Sequence, residues 1–106
     1  MSLDVDLIYE GCMVFEYNIT HNLGAMAAAV DAYAAVWRPE TVNITHAKHL
    51  IVPLKAALES LRENPARFDQ YVPSNGWGKH DSLVKFFEQY LAACEEYPEA
   101  SIRVST

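Results

Sequence analysis

The sequence predicts an α+β fold: a mainly helical single domain with a small antiparallel sheet, built from an N-terminal hairpin and a C-terminal strand. Three observations predict it. Apolar and polar residues alternate with a period of two near the start of the chain and again at its end, and between these ends apolar residues recur at helical spacing. At 106 residues the chain holds apolar material for one core and too little for two, so residues 1–106 read as one domain.

Leu3, Val5, Leu7 and Tyr9 alternate with Asp4, Asp6, Ile8 and Glu10, the pattern of a half-buried strand. Gly11-Cys12 then turns the chain, and Met13 to Tyr17, rich in aromatic and apolar residues, supplies the second arm of the hairpin. Asn18-Ile19-Thr20 offers two residues able to cap a helix, and Leu23, Met26, Ala27, Val30, Ala34 and Trp37 follow at helical spacing. This helix stops at Arg38, because Pro39 disfavours the α conformation in the residue before it.

A second helix starts at Thr45 as N-cap and places Ala47, Leu50, Ile51, Leu54, Leu58 and Leu61 on one face. Pro53 inside it removes a backbone donor and crowds the preceding turn, which predicts a kink or a restart near Val52. Asn64-Pro65 opens a short helix through Phe68 and Tyr71, and Pro73 to Gly78 is dense in residues that turn the backbone. The last helix carries Leu83, Val84, Phe87, Leu91 and Cys94 on its buried stripe, with Asp81 or Ser82 as cap and Tyr97-Pro98 as the stop. Ala100, Ile102 and Val104 then alternate with Ser101, Arg103 and Ser105 in a strand that pairs with the hairpin.

Fourteen acidic residues against eight basic ones give a net charge of -6. The bases are scattered, so no stripe of Lys and Arg is available to displace the counterions of a phosphate backbone, which argues against nucleic acid as a partner. No apolar run approaches the roughly 20 residues of a membrane span. Asp4 and Asp6 stand where a signal peptide would carry bases. The chain therefore reads as cytoplasmic, without a membrane partner, and its two cysteines, Cys12 and Cys94, read as free thiols, with Cys94 in the core.

The tetrapeptide Asn-Ile-Thr-His occurs at Asn18 to His21 and again at Asn43 to His46. One reading is capping chemistry, since Asn and Thr accept hydrogen bonds from free N–H groups at a helix start. The other is a ligand site, with an anion held at the helix N-terminus beside His21 and Asn22. His46 and His49 share a helix face at a spacing compatible with metal ligation, but no third ligand stands in an evident pattern, so an exposed face is the expectation. Arg38 either complements the helix dipole or reads a phosphate or carboxylate. Trp37 reads as core. Trp77, between Gly76 and Gly78, either plugs the core or stacks on a planar ligand or partner. CxxC, HExxH, P-loop and GxSxG patterns are absent from the sequence, so no cofactor is expected. Cys12 and His21 can be drawn as a dyad, but proximity in sequence gives them no geometry, and no catalytic residue is assigned.

The segments Asn18 to Gly24 (NITHNLG), Trp37 to Glu40 (WRPE), Asn75 to Gly78 (NGWG) and Tyr90 to Ala100 together resemble a group of small, uncharacterised phage and prophage proteins. The resemblance covers most of the chain from Asn18 onward and implies a phage accessory protein rather than a virion component. Some of the proteins resembled carry a CxxC segment ahead of the NITHN motif. Here only Cys12 lies in that region, so no zinc role carries over.

Two functions are expected from different classes. In the first, Asn18, Thr20, His21, Asn22, Arg38, Asn75 and Trp77 line a polar and aromatic pocket for a small anionic or nucleotide-like ligand. In the second, the chain is an interaction module that inhibits or redirects a host protein, with Trp37, Trp77 and nearby tyrosines as anchors. Both are non-enzymatic, and neither excludes a homo-oligomer.

Overall fold

The computed structural model describes residues 2–20, 23–63 and 80–105. The predicted helix from Asn64 and the Pro73 to Gly78 loop lie outside them. Strand β1 (Ser2–Tyr9) pairs antiparallel with β2 (Cys12–Thr20), from Ser2 opposite Thr20 to Leu7 opposite Phe15. The register then slips to Ile8 opposite Met13, leaving Val14 as the extra residue of a bulge. Tyr9 faces Cys12, so the loop is Glu10-Gly11, one residue earlier than expected. Both loop residues have positive φ, 53° and 79°, as a two-residue turn matched to the strand twist requires.

Strand β3 (Ser101–Ser105) pairs antiparallel with the other side of β1, giving the order β2-β1-β3. The alternation in β1 sorts its side chains by face: Leu3, Val5 and Leu7 are fully buried, while Asp4 points to solvent. This bears out the α+β class and the pairing of the C-terminal strand with the hairpin.

The first predicted helix is corrected. Asn18 to Thr20 extend β2, because Ser2 to Asp4 offer them a partner strand, and pairing along a sheet outweighs a local preference to cap. Among the described residues the first α-helix is α1 (Gly24–Ala29), with Leu23 in a 3₁₀ conformation before it, and a second short helix, α2 (Tyr33–Trp37), follows. Between them the Asp31 N–H donates to Ala28 O at 3.0 Å and the Ala32 N–H to Ala27 O at 2.9 Å, with Asp31 at φ 59°. These two bonds close the helix end in a Schellman motif, a position that favours glycine. The break turns Ala32, Ala35, Val36 and Trp37 into the core.

After a 3₁₀ turn at Pro39–Val42, Asn43 adopts the left-handed conformation at φ 59°. A second 3₁₀ turn, Ala47–Leu50, leads directly into α3 (Ile51–Glu63), with His46 rather than Thr45 at the N-cap. Pro53 thus sits in the first turn of α3, where its missing N–H costs least, and the expected restart lies at Ile51. Helix α4 (His80–Glu96) starts a residue before the expected cap. It runs antiparallel to α3, as the ion pairs Arg62–Glu88 at 2.7 Å and Lys55–Glu95 at 3.7 Å show. Among the described residues no helix is long and apolar enough to cross a membrane.

The buried stripe of α4 is Leu83, Phe86, Phe87, Tyr90, Ala93 and Cys94, whereas the expected Val84 and Leu91 are half-buried. Phe86 touches rings on several elements: Tyr17 on β2 at 4.9 Å between centroids, Trp37 on α2 at 6.5 Å edge-on, and Tyr90 at 5.5 Å. Buried residues of β1, β2 and helices α1 to α4 join one apolar cluster. Within it the Tyr90 hydroxyl is buried without a hydrogen-bond partner among the described residues. Burial, and after it the neighbouring Cys94 and Asp6, push the Tyr90 hydroxyl pKa well above its usual value. Burial and then Glu95 push the Cys94 thiol from 9.0 up to about 12.

Phe86→Ala should cost about 3–5 kcal/mol in urea unfolding, whereas Tyr90→Phe should be neutral or stabilising by about 1 kcal/mol, because it removes an unsatisfied hydroxyl. Asp31→Gly should stabilise by roughly 0.5–1 kcal/mol by relieving a left-handed residue. The raised thiol and phenol stabilise the fold fully while their unfolded counterparts stay protonated. Stability should therefore fall as pH climbs from 9 towards 12, and the urea midpoint of Cys94→Ala should decline less over that range.

Candidate functional site

Because one face of the three-stranded sheet packs on the helices, alternation sends the remaining side chains of all three strands to the opposite, open face. There Asp4, Asp6, Met13, Glu16, Asn18, Arg103 and Ser105 line a shallow concavity of about 1040 Å³. Register explains their meeting: Asp4 lies between Asn18 and Ser105, and Asp6 between Glu16 and Arg103.

Asn18 donates from Nδ2 to Asp4 Oδ1 at 2.7 Å and to Ser2 Oγ at 2.9 Å. Arg103 donates from Nε to Asp6 Oδ2 at 3.0 Å, and its Nη2 lies 3.0 Å from the same oxygen. The Asp6 side chain is only 17% exposed. Like charges facing each other across strands are unfavourable, and Arg103 offsets this for the Asp6 and Glu16 pair. Among the described residues Glu16 has no ion-pair partner. Among the described residues, three carboxylates against one guanidinium leave the face negative, a field that repels anions and attracts cations.

The structure separates the residues that the sequence grouped. Asn18 is a strand residue bonded to Ser2 and Asp4, not a helix cap. Thr20 ends the same strand. Arg38 is exposed at the end of α2, its carbonyl accepting from the Thr41 N–H and hydroxyl, and it does not line the concavity around Asn18. His21, Asn22, Asn75 and Trp77 lie outside the described residues. Trp37 is 1% exposed and stacks on Tyr33 at 5.4 Å, so it serves the core and is corrected as a partner anchor. Cys12 is exposed and Cys94 buried, both as free thiols.

The two Asn-Ile-Thr-His segments differ in conformation. In the second, Asn43 is left-handed, the Thr45 hydroxyl lies 2.9 Å from His46 Nδ1, and the Thr45 and His46 N–H groups donate to His49 Nδ1 at 3.3 and 3.4 Å. His49 thus caps the 3₁₀ turn from three residues into the chain, as Glu or Gln does in a capping box. Among the described residues no group of three or more His, Cys, Asp or Glu side chains is placed to hold a metal ion. A smaller groove of about 500 Å³ lies between α3 and α4, lined by Lys55, Leu58, Arg62 and Leu91.

The acidic open face was legible only in part. Asp4, Asp6 and Arg103 stand out by alternation, but nothing in their spacing shows that β1 lies between β2 and β3. No known protein family, curated protein or solved structure matches the chain.

His49→Ala should lower stability by about 1 kcal/mol in urea unfolding by removing the acceptor of two N–H groups, and His49→Gln should restore much of the loss.

Proposed function

We propose that the chain is a non-enzymatic interaction module that meets a basic protein partner through the open face of its sheet. The observation that carries this reading is the negative concavity of Asp4, Asp6, Glu16 and Asn18, in which the single guanidinium is already paired. Its shape supports the same reading: a small-molecule site encloses most of its ligand, whereas this face is broad and open. The resemblance to small phage proteins supports a host protein in the cytoplasm as the partner, inhibited or redirected by binding.

The alternative, a pocket for a small anionic ligand, draws support from His21, Asn22, Asn75 and Trp77 rather than from Asn18, which stands among carboxylates. Random peptides selected on the protein should be rich in Lys and Arg. Their affinity should fall about tenfold in Asp4→Asn/Glu16→Gln and fall again at high salt. A nucleotide that raises the melting midpoint by several degrees in the wild type, but not in His21→Ala or Trp77→Ala, would favour the pocket instead.

A further inference from the structure

The two edges of the sheet differ. At the β3 edge, His46 bridges Ser101, the Ala47 N–H donates to Ala100 O at 2.9 Å, and the Ile102 N–H donates to Thr45 O at 3.1 Å. That edge is therefore covered where β3 begins. Among the described residues β2 has β1 as its one neighbour, and its outer edge faces no other strand. Strand β2 contains no proline, and from Phe15 to Thr20 its register is free of bulges, a regular edge of about 20 Å. Edges are usually blunted by Pro, Lys, bulges or a covering element. Here the bulge at Val14 protects only the hairpin end.

The side chains along this edge specify what would fit. On the open face β2 presents Met13, which is 50% exposed, with Glu16 and Asn18, and Asp4 and Asp6 stand beside them on β1. On the opposite face Phe15 and Tyr17 are only half-buried, although Leu3, Val5 and Leu7 on the adjacent strand are fully buried. A neighbouring strand would therefore place alternate residues beside Glu16, with Asp4 and Asp6 one strand further in, and the residues between them against the rims of two aromatic rings.

We propose that the β2 edge receives an extended segment of a partner protein, in which Lys or Arg alternates with apolar residues, as a fourth strand of the sheet. The proposal rests on the interaction reading above and names the partner's chemistry. Backbone hydrogen bonds along Phe15 to Thr20 supply the common part of the affinity, and the alternating side chains supply the selection. A second copy of this chain fits less well, since it would join two faces of the same negative charge.

The probe is a short peptide alternating lysine and valine, compared with an isomer whose lysines form one block and with two versions N-methylated on either backbone edge. Titration calorimetry on the wild type should show the alternating peptide binding about tenfold more tightly than its block isomer. Methylation of one edge should abolish binding while methylation of the other leaves it intact, and hydrogen exchange should show new protection confined to alternate amides of β2. Equal binding of all four peptides, lost in Asp4→Asn/Glu16→Gln, would overturn strand addition and leave the interaction reading standing. No binding by any peptide would overturn both. A dimer in light scattering with β2 amides already protected would overturn the proposal in favour of self-pairing.

Discussion

The Phe86 ring is the contact through which the sheet, the short helices and the C-terminal helix are held to one another. It stacks at 5.5 Å on Tyr90 of its own helix, tilts against Tyr17 of β2 at 4.9 Å, and receives Trp37 of α2 edge-on. Tyr90 in turn stacks on Phe15 at 5.5 Å, so two residues one turn apart on α4 grip two alternate residues of β2. Such aromatic pairs add to their large burial a preference for particular ring geometries. A small domain, with much surface for its volume, depends on contacts of this kind. Holding β2 to α4 decides which face of the sheet is inside.

The character of the other face follows. With Leu3, Val5, Leu7, Phe15 and Tyr17 directed to the helices, the period of two leaves Asp4, Asp6, Glu16 and Asn18 for solvent. One-residue shifts of register would exchange the two sets, which the burial of the apolar set forbids. The bulge at Val14 reverses the phase of β2 near the hairpin. This is why Met13, and not Val14, shares the open face with Glu16. The acidity of that face is thus a consequence of core packing and has a cost of its own, partly offset by the Arg103 pair with Asp6. A Glu16 without an ion-pair partner among the described residues, beside a regular strand edge, is the feature that packing alone does not explain.

Much of the fold was legible because its signals are local. Alternation in Leu3 to Tyr9 and after Pro98, the helical stripe from Leu50 to Leu61 and the buried Cys94 each need only a short window. The readings that changed each depended on a distant partner. Asn18 to Thr20 look like a cap until Ser2 to Asp4 are available to pair with them. The alanine-rich stretch from Gly24 reads as one helix until Asp31 closes it early to send Trp37 into the core. Phe86 and Tyr90 escaped the predicted stripe, because a stripe drawn through Val84 and Leu91 has the same period and differs only in phase. Of the candidate site, Asn18 holds a place on a functional-looking surface, for a reason unlike the one its motif suggested.

By itself, then, the sequence determined the class of fold, the identity of the strands and the longer helices, the excess of acid and the lack of a basic stripe. These are properties of composition and of short-range periodicity, which depend on residues a few positions apart. Tertiary structure alone decided that β1 lies between β2 and β3, that three carboxylates from two strands share one open face with Arg103, and that one edge of the sheet is covered by His46 while the other meets no further strand among the described residues. Those outcomes arise from pairing between residues nearly a hundred positions apart, as Asp6 and Arg103 are. Pairing at that distance is selected by burying the apolar face as a whole, not by any local motif.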